Sequence, residues 1–169
     1  MVNLDATKWA SNARQAPTKL NCMTQVRALT TDDFDAWLPL WNGYLEFYET
    51  KLEPEITRHT FERLTDNSTN MHAALALNED DEAIGMVTWL THSGTWSRSD
   101  YVYLEDLFVS AAARGTGAGR ALIEHVSGWA DAAGAGKVYW LTADTNKTAQ
   151  QLYDRVANKT GFIHYEIKK

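Results

Sequence analysis

The segment Arg114-Gly115-Thr116-Gly117-Ala118-Gly119-Arg120 constrains this chain most. Before it lies Tyr101 to Val109, rich in aromatic and branched residues, which reads as a strand. After it, Gly117 to Ala133 reads as a helix, with Leu122, Val126, Trp129, Ala130 and Ala133 along one stripe. A strand therefore enters a glycine turn and a helix leaves it. Glycine lets a backbone take positive φ and come close to a ligand. The unpaired N–H groups of the helix's first turn, together with its dipole, suit a phosphate or pyrophosphate. Arg114 and Arg120 add charge-assisted contacts. The central expectation is an anionic, phosphate-bearing cofactor at this turn. The plainer alternative is a turn whose glycines only let helix and strand pack closely.

Known phosphate loops divide on their side chains. A P-loop needs Lys and then Ser or Thr after its last glycine, and here Gly119 is followed by Arg120-Ala121. A dinucleotide-binding G-x-G-x-x-G begins at Gly115-Thr116-Gly117, but its third glycine position holds Arg120. About fifty residues remain after the turn, too few for the rest of a doubly wound sheet.

The chain has 169 residues, one domain at roughly 100–200 residues per domain. Residues 1–24 are polar and weakly periodic and read as an N-terminal extension; the domain proper is 25–169. A strand at Gln25–Leu29 leads to a helix capped by Thr30 or Thr31, with Asp32 and Asp33 in its first turn. Phe34, Trp37, Leu38, Trp41, Tyr44, Leu45 and Tyr48 repeat at helical spacing, and Pro39 is expected to kink or split that helix. Thr57–Leu64 reads as a second helix. Residues 71–77 and 83–93 form a hairpin around the acidic tip Asn78–Glu82. Val138–Leu141 is a short parallel strand, Asn146–Ala157 a helix, and Phe162–Ile167 a final strand. The fold class is mixed α/β (α+β): a mostly antiparallel sheet with a parallel β-α-β crossover around residues 101–141.

Charge and cysteine usage narrow the function classes. Lys and Arg number 16 against 22 Asp and Glu, a net charge of −6. Nucleic acid is a poor partner for an acidic chain, whereas a cationic amine or basic peptide is easier to attract. The single cysteine, Cys22, excludes an intrachain disulfide, and the five histidines are scattered, so no structural metal is expected. No stretch approaches eighteen apolar residues and the N-terminus has no apolar signal core, so neither a membrane span nor a secretory signal is expected. A reducing, cytoplasmic setting follows as an expectation.

The turn resembles the R/Q-x-x-G-x-G/A acetyl-CoA signature of the GNAT superfamily of N-acetyltransferases, and the likeness extends over residues 25–169. Leu107-Phe108-Val109 before the turn, and Asn146 and Tyr153 after it, fit the same pattern. Tyr103 to Val109 is similar to a strand of the diamine acetyltransferases. Val138-Tyr139-Trp140, Leu152-Tyr153 and the helix with Trp41, Tyr44, Phe47 and Tyr48 are closer to the fungal histone/polyamine group and its bacterial relatives.

The resemblance implies the GNAT fold with splayed strands, acetyl-CoA as cofactor, and direct acetyl transfer to a primary amine: a polyamine, lysine-type amine, amino acid or basic peptide. It implies backbone contacts to the cofactor from Leu107, Phe108, Val109 and Arg114, Gly115, Thr116, Gly117, Ala118, Gly119 and Arg120. Asn146 would hold the pantetheine arm. Glu105 takes the position of a general base and Tyr153 that of the proton donor to the departing thiol, since a phenol stays protonated at neutral pH. Strand alternation is expected to put Glu105 and Asp106 on opposite faces. Asp106, Tyr48 and Glu49 are candidates for the acceptor's ammonium group. A homodimer is implied by the family. A non-catalytic acyl-CoA-binding sensor on the same fold, and a nicotinamide-dependent oxidoreductase, are the rival readings.

Overall fold

The structure is a computed structural model and describes residues 24–168. Apart from Thr24, the expected extension, with Cys22, lies outside the described residues. The elements are β1 (Gln25–Ala28), α1 (Phe34–Phe47), α2 (Pro54–Thr65), β2 (Met71–Leu77), β3 (Ala83–Ser93), β4 (Asp100–Val109), α3 (Ala118–Ala132), β5 (Val138–Tyr139) and α4 (Lys147–Val156). Short 3-10 turns, Thr31–Asp33 and Ala111–Ala113, precede α1 and the glycine turn. The sheet runs β1-β2-β3-β4-β5. Its first three pairings are antiparallel and β4–β5 is parallel, as the crossover through α3 requires.

Period-two alternation splits the sheet's side chains between two cores. Ala73, Leu75, Leu77 and Met86 face α1 and α2, against Trp37, Leu40, Trp41, Phe61 and Leu64. Ala74, Ala76, Val87, Val102 and Leu104 face α3, against Leu122, Ile123 and Val126. Such near-continuous apolar strands belong in a sheet covered on both sides. Gly43 brings α1 close: a Cβ there would meet the Phe108 ring at 2.7 Å.

α1 is anchored to the sheet at its entrance. Arg27 on β1 donates two hydrogen bonds of 2.7 Å to the Asp33 carboxylate, which also accepts from the Thr30 backbone N–H and hydroxyl. The Arg27 guanidinium holds the Asp33 carboxyl far below the usual carboxylate range. Thr30 caps the 3-10 turn that leads straight into α1.

Four expectations change. α1 is not split at Pro39; the lost N–H removes one helix bond, and Trp37, Leu40 and Trp41, all buried, anchor the helix on both sides of it. α2 starts earlier, at Pro54, where proline fits a helix's first position. β5 has two residues, because only Val102 and Tyr103 pair with it. Residues 162–168 form no strand; no sheet edge within the described residues takes them up. No described helix is long and apolar enough to cross a membrane.

Candidate active site

The site is built around an irregularity in β4. Thr88 pairs with Asp106 while the next residue, Trp89, pairs with Leu104, which leaves Glu105 as the extra residue of a β-bulge. One extra residue inverts the alternation beyond it. Val102 and Leu104 face α3, but Leu107 and Val109 also face α3, while Phe108 packs toward α1. Asp106 is thereby turned to the α1 side, onto the Thr88 hydroxyl. The expectation that Glu105 and Asp106 lie on opposite faces is overturned, because alternation holds only in a regular ladder. Both line one cleft of about 340 Å3, with Trp41, Thr60, Arg63 and Thr88.

Electrostatics tie this cleft into a single unit. Asp106 accepts from Thr88 Oγ1 at 2.6 Å, and its own N–H donates back to that hydroxyl at 3.2 Å. Burial still raises its pKa, with the Thr88 and Tyr44 hydroxyls pulling the other way. The Glu105 carboxyl is raised by desolvation first and by Asp106 second, although the residue remains open to solvent. Tyr103 is pushed up to about 12 by burial and then by Glu105. Tyr44, Tyr48 and Tyr139 are raised too, each by burial first and then by one of these acids. Four phenols thus sit within the field of two adjacent carboxyl groups. Phenol faces and carboxylates both attract an ammonium ion. Tyr139 is fixed in turn by His92, whose Nε2 lies 2.9 Å from its hydroxyl.

β4 continues toward the glycine turn half-paired. Val87, Met86 and Gly85 of β3 pair with Leu107, Phe108 and Val109, but on the β5 side pairing ends at Tyr103. The backbone from Leu104 to Val109 has an open edge there. A molecule with amide groups can dock on such an edge as an added strand does.

Gly115 and Gly117 both take positive φ, +80° and +102°, and a Cβ built on either would meet nothing within 4 Å. They line an open cradle. The first amide to donate back along α3 is that of Ala121, to Gly117, so the amides ahead of it have no helical acceptor. Gly119 serves packing instead, since its Cβ would come within 3.3 Å of Leu152; its bare backbone admits α4 against α3. Arg114 and Arg120 are exposed, and Arg120 reaches Glu124 at 3.6 Å.

α4 completes the site. Asn146 caps it, accepting from the Ala149 N–H at 3.2 Å. Asn146, Tyr48 and Glu49 line one groove between the ends of α1 and α4, and Glu49 sits there at a φ of 51°. Tyr153 packs edge-on against Trp140 at 5.3 Å. Its pKa is raised by burial first and by Tyr48 second. Tyr48, Glu49 and Asn146 therefore share one groove, and Glu105 and Asp106 share a second cleft.

Sequence reading missed Thr88, Tyr103 and Tyr139. A signal existed for Thr88, a lone hydroxyl in the apolar run Met86–Leu90. Tyr103 and Tyr139 carry none, since aromatic residues in strands are ordinary.

Comparison with known proteins agrees with this geometry. Residues 34–157 match the model of the Acetyltransferase (GNAT) family. The D-amino-acid N-acetyltransferase HPA3 of Saccharomyces cerevisiae is 38% identical over 156 residues, covering 91% of this chain and 97% of the relative. The uncharacterized N-acetyltransferase YhfO of Bacillus subtilis is 30% identical over 142 residues, 83% of this chain and 94% of its own. The fold is shared with AAC(6')-Iy, solved with a CoA-S-monomethyl-acetylneamine bisubstrate analogue, at a TM-score of 0.75, 18% identity and coverage of 87% and 99%. The chain belongs to the GNAT acetyltransferase family.

Proposed function

We propose that this N-acetyltransferase moves the acetyl group of acetyl-CoA directly onto the primary amine of a small acceptor held in the cleft at the β4 bulge. The observation that carries the reading is the bulge itself, which gathers Glu105 and Asp106 into one cleft lined also by Trp41 and Trp89. Acetyl-CoA supplies an activated acyl thioester. The residues present fit it: Gly115 and Gly117 leave the cradle open for a diphosphate, Arg114 and Arg120 are exposed beside it, and the free edge at Leu107–Val109 suits an amide-bearing pantetheine arm.

The acceptor arrives protonated, since an alkyl ammonium has a pKa of about 10. The acidic, aromatic cleft attracts it in that form, with Asp106, Tyr48 and Glu49 holding the charge. Glu105 then takes a proton, directly or through water, and its raised pKa makes it a better base than an ordinary carboxylate. A backbone N–H near Phe108 or Val109 stabilises negative charge on the acyl oxygen. Tyr153, kept protonated by burial, supplies a proton to the departing sulfur. Asn146 orients the arm from the end of α4.

Among acceptors, an amino acid fits best. The name of the yeast relative points to D-amino acids. Arg63 lines the same cleft as the two acids, and its hydrogen-bond partner is the Met71 thioether, a weak acceptor that leaves a guanidinium able to take a carboxylate. Lone Cys22 suits a reducing, cytoplasmic setting.

Thiol release from acetyl-CoA, measured across polyamines, lysine-type amines, L- and D-amino acids and a basic peptide, tests the acceptor class. Turnover is expected, strongest with an amino acid; CoA binding without turnover on any amine would favour the sensor. Gly117→Val puts a branched side chain at φ +102° inside the cradle and should abolish CoA binding by calorimetry, with the fold intact by circular dichroism. Glu105→Gln should lower kcat/KM by about 100-fold or more. Only the carboxylate accepts a proton, so wild-type activity should fall as pH drops through the raised Glu105 pKa, above the ordinary glutamate range. The Gln variant should lack that acidic limb. Tyr153→Phe keeps the ring and removes the proton, so kcat should drop more than acetyl-CoA affinity.

A further inference from the structure

Thr88 carries the only hydroxyl in the run Met86–Leu90, and it is 3% exposed, between the buried Val87 and Trp89. Valine has nearly the same shape and suits a strand as well, so the sheet itself has no need of a hydroxyl there. Burying one is costly unless it is hydrogen-bonded. Here it is bonded twice to a single residue across the ladder. It donates to Asp106 Oδ2 at 2.6 Å and accepts from the Asp106 N–H at 3.2 Å.

Asp106 is one flank of the bulge. Glu105 has no partner on β3, so its backbone is fixed only through its two neighbours. Leu104, on one side, is buried opposite the buried Trp89. Asp106, on the other, carries a carboxyl group that burial penalises, and the Thr88 hydroxyl grips both its side chain and its main chain. A one-residue slip of this register would return Glu105 to the ladder and turn Asp106 over to the α3 side.

Taking Glu105 as the proton acceptor, on which this rests, we propose that Thr88 is a positioning residue for acetyl transfer: by clamping Asp106 it holds the bulge and fixes where the Glu105 carboxyl stands in the cleft. The clamp has an electrostatic side. The Thr88 hydroxyl favours the charged form of Asp106, and a charged Asp106 raises the proton affinity of Glu105. The other charged or titratable groups around the pair are Arg63 on α2, Tyr44 and Tyr48 on α1, Tyr103 on β4 and Tyr139 on β5. A guanidinium keeps its charge at any working pH, and all four phenols are raised from an already basic range. On the acidic side, the two acids alone change charge.

Thr88→Val keeps the shape and removes the hydroxyl. Asp106 then takes up a proton at higher pH, Glu105 loses the neighbouring charge, and the acidic limb of kcat/KM should move to lower pH. With acetyl-CoA and D-leucine, kcat should fall about 10-fold or more, since a small misplacement of a reacting group is costly, while acetyl-CoA affinity by calorimetry holds. Thr88→Ser returns the hydroxyl and should restore the limb and most of kcat. A limb lost in Glu105→Gln but unmoved in Thr88→Val, or a serine variant that behaves like the valine one, would overturn the positioning role alone. A limb that survives in Glu105→Gln would overturn Glu105 as the base, and the role of Thr88 with it. If the valine variant does not fold, or D-leucine is not turned over, carbon-13 titration of the unaltered chain decides. The Glu105 and Asp106 carboxyl signals should titrate as a coupled pair, each showing the other's step; independent single-step curves would overturn the proposal.

Discussion

Everything in this site depends on β4 being paired differently on its two sides. Against β3 it is laddered along its whole length; against β5 it is bonded at two residues. Backbone N–H and C=O groups must be satisfied somewhere, and a strand with one open side offers them to whatever lies there. Because the same strand runs into the glycine turn, the open edge and the cradle form one continuous surface. The sheet's two cores keep that surface stiff, with α1 packed on Phe108 through Gly43 and α3 packed on Leu107 and Val109.

The bulge at Glu105 is the second half of the same arrangement. A regular β4 would have sent Asp106 into the α3 core beside Leu104, where a carboxylate would have been costly. The extra residue turns it to the α1 side, where Thr88 donates to it. This concentrates acidic groups in one cleft of a protein already carrying a net charge of −6. The raised pKa values of Glu105 and Asp106 and the raised phenols around them have one cause: polar groups crowded into a partly dry cleft.

Much of the architecture was legible along the chain. Strand, glycine turn and helix could be placed because glycine, branched residues and helical periodicity are local signals. The hairpin around Asn78–Glu82 and the stripes of α1 and α3 followed in the same way. Pro39 does not split its helix, because a proline's local penalty says nothing of the buried tryptophans on either side of it. Phe162–Ile167 misled: its alternation is that of a strand, but a strand exists only where an edge accepts it. β5 came out shorter than its apolar run, since pairing with β4 and not composition sets its length.

The sequence by itself determined that a phosphate-bearing ligand has a place to bind, because a glycine's freedom and a helix's unpaired amides are properties of the local chain. It also singled out Glu105, Asp106, Asn146 and Tyr153 as candidates for the site. Only the tertiary structure decided which way those side chains face. The bulge depends on how β3 and β4 register across 18 residues of chain separating Thr88 from Asp106, and no single-residue preference carries that information. The same holds for Tyr48 sharing a groove with the start of α4, and for Thr88 entering the cleft. Facing is settled by long-range packing, whereas the capacity to bend, to donate and to accept is already written in each residue.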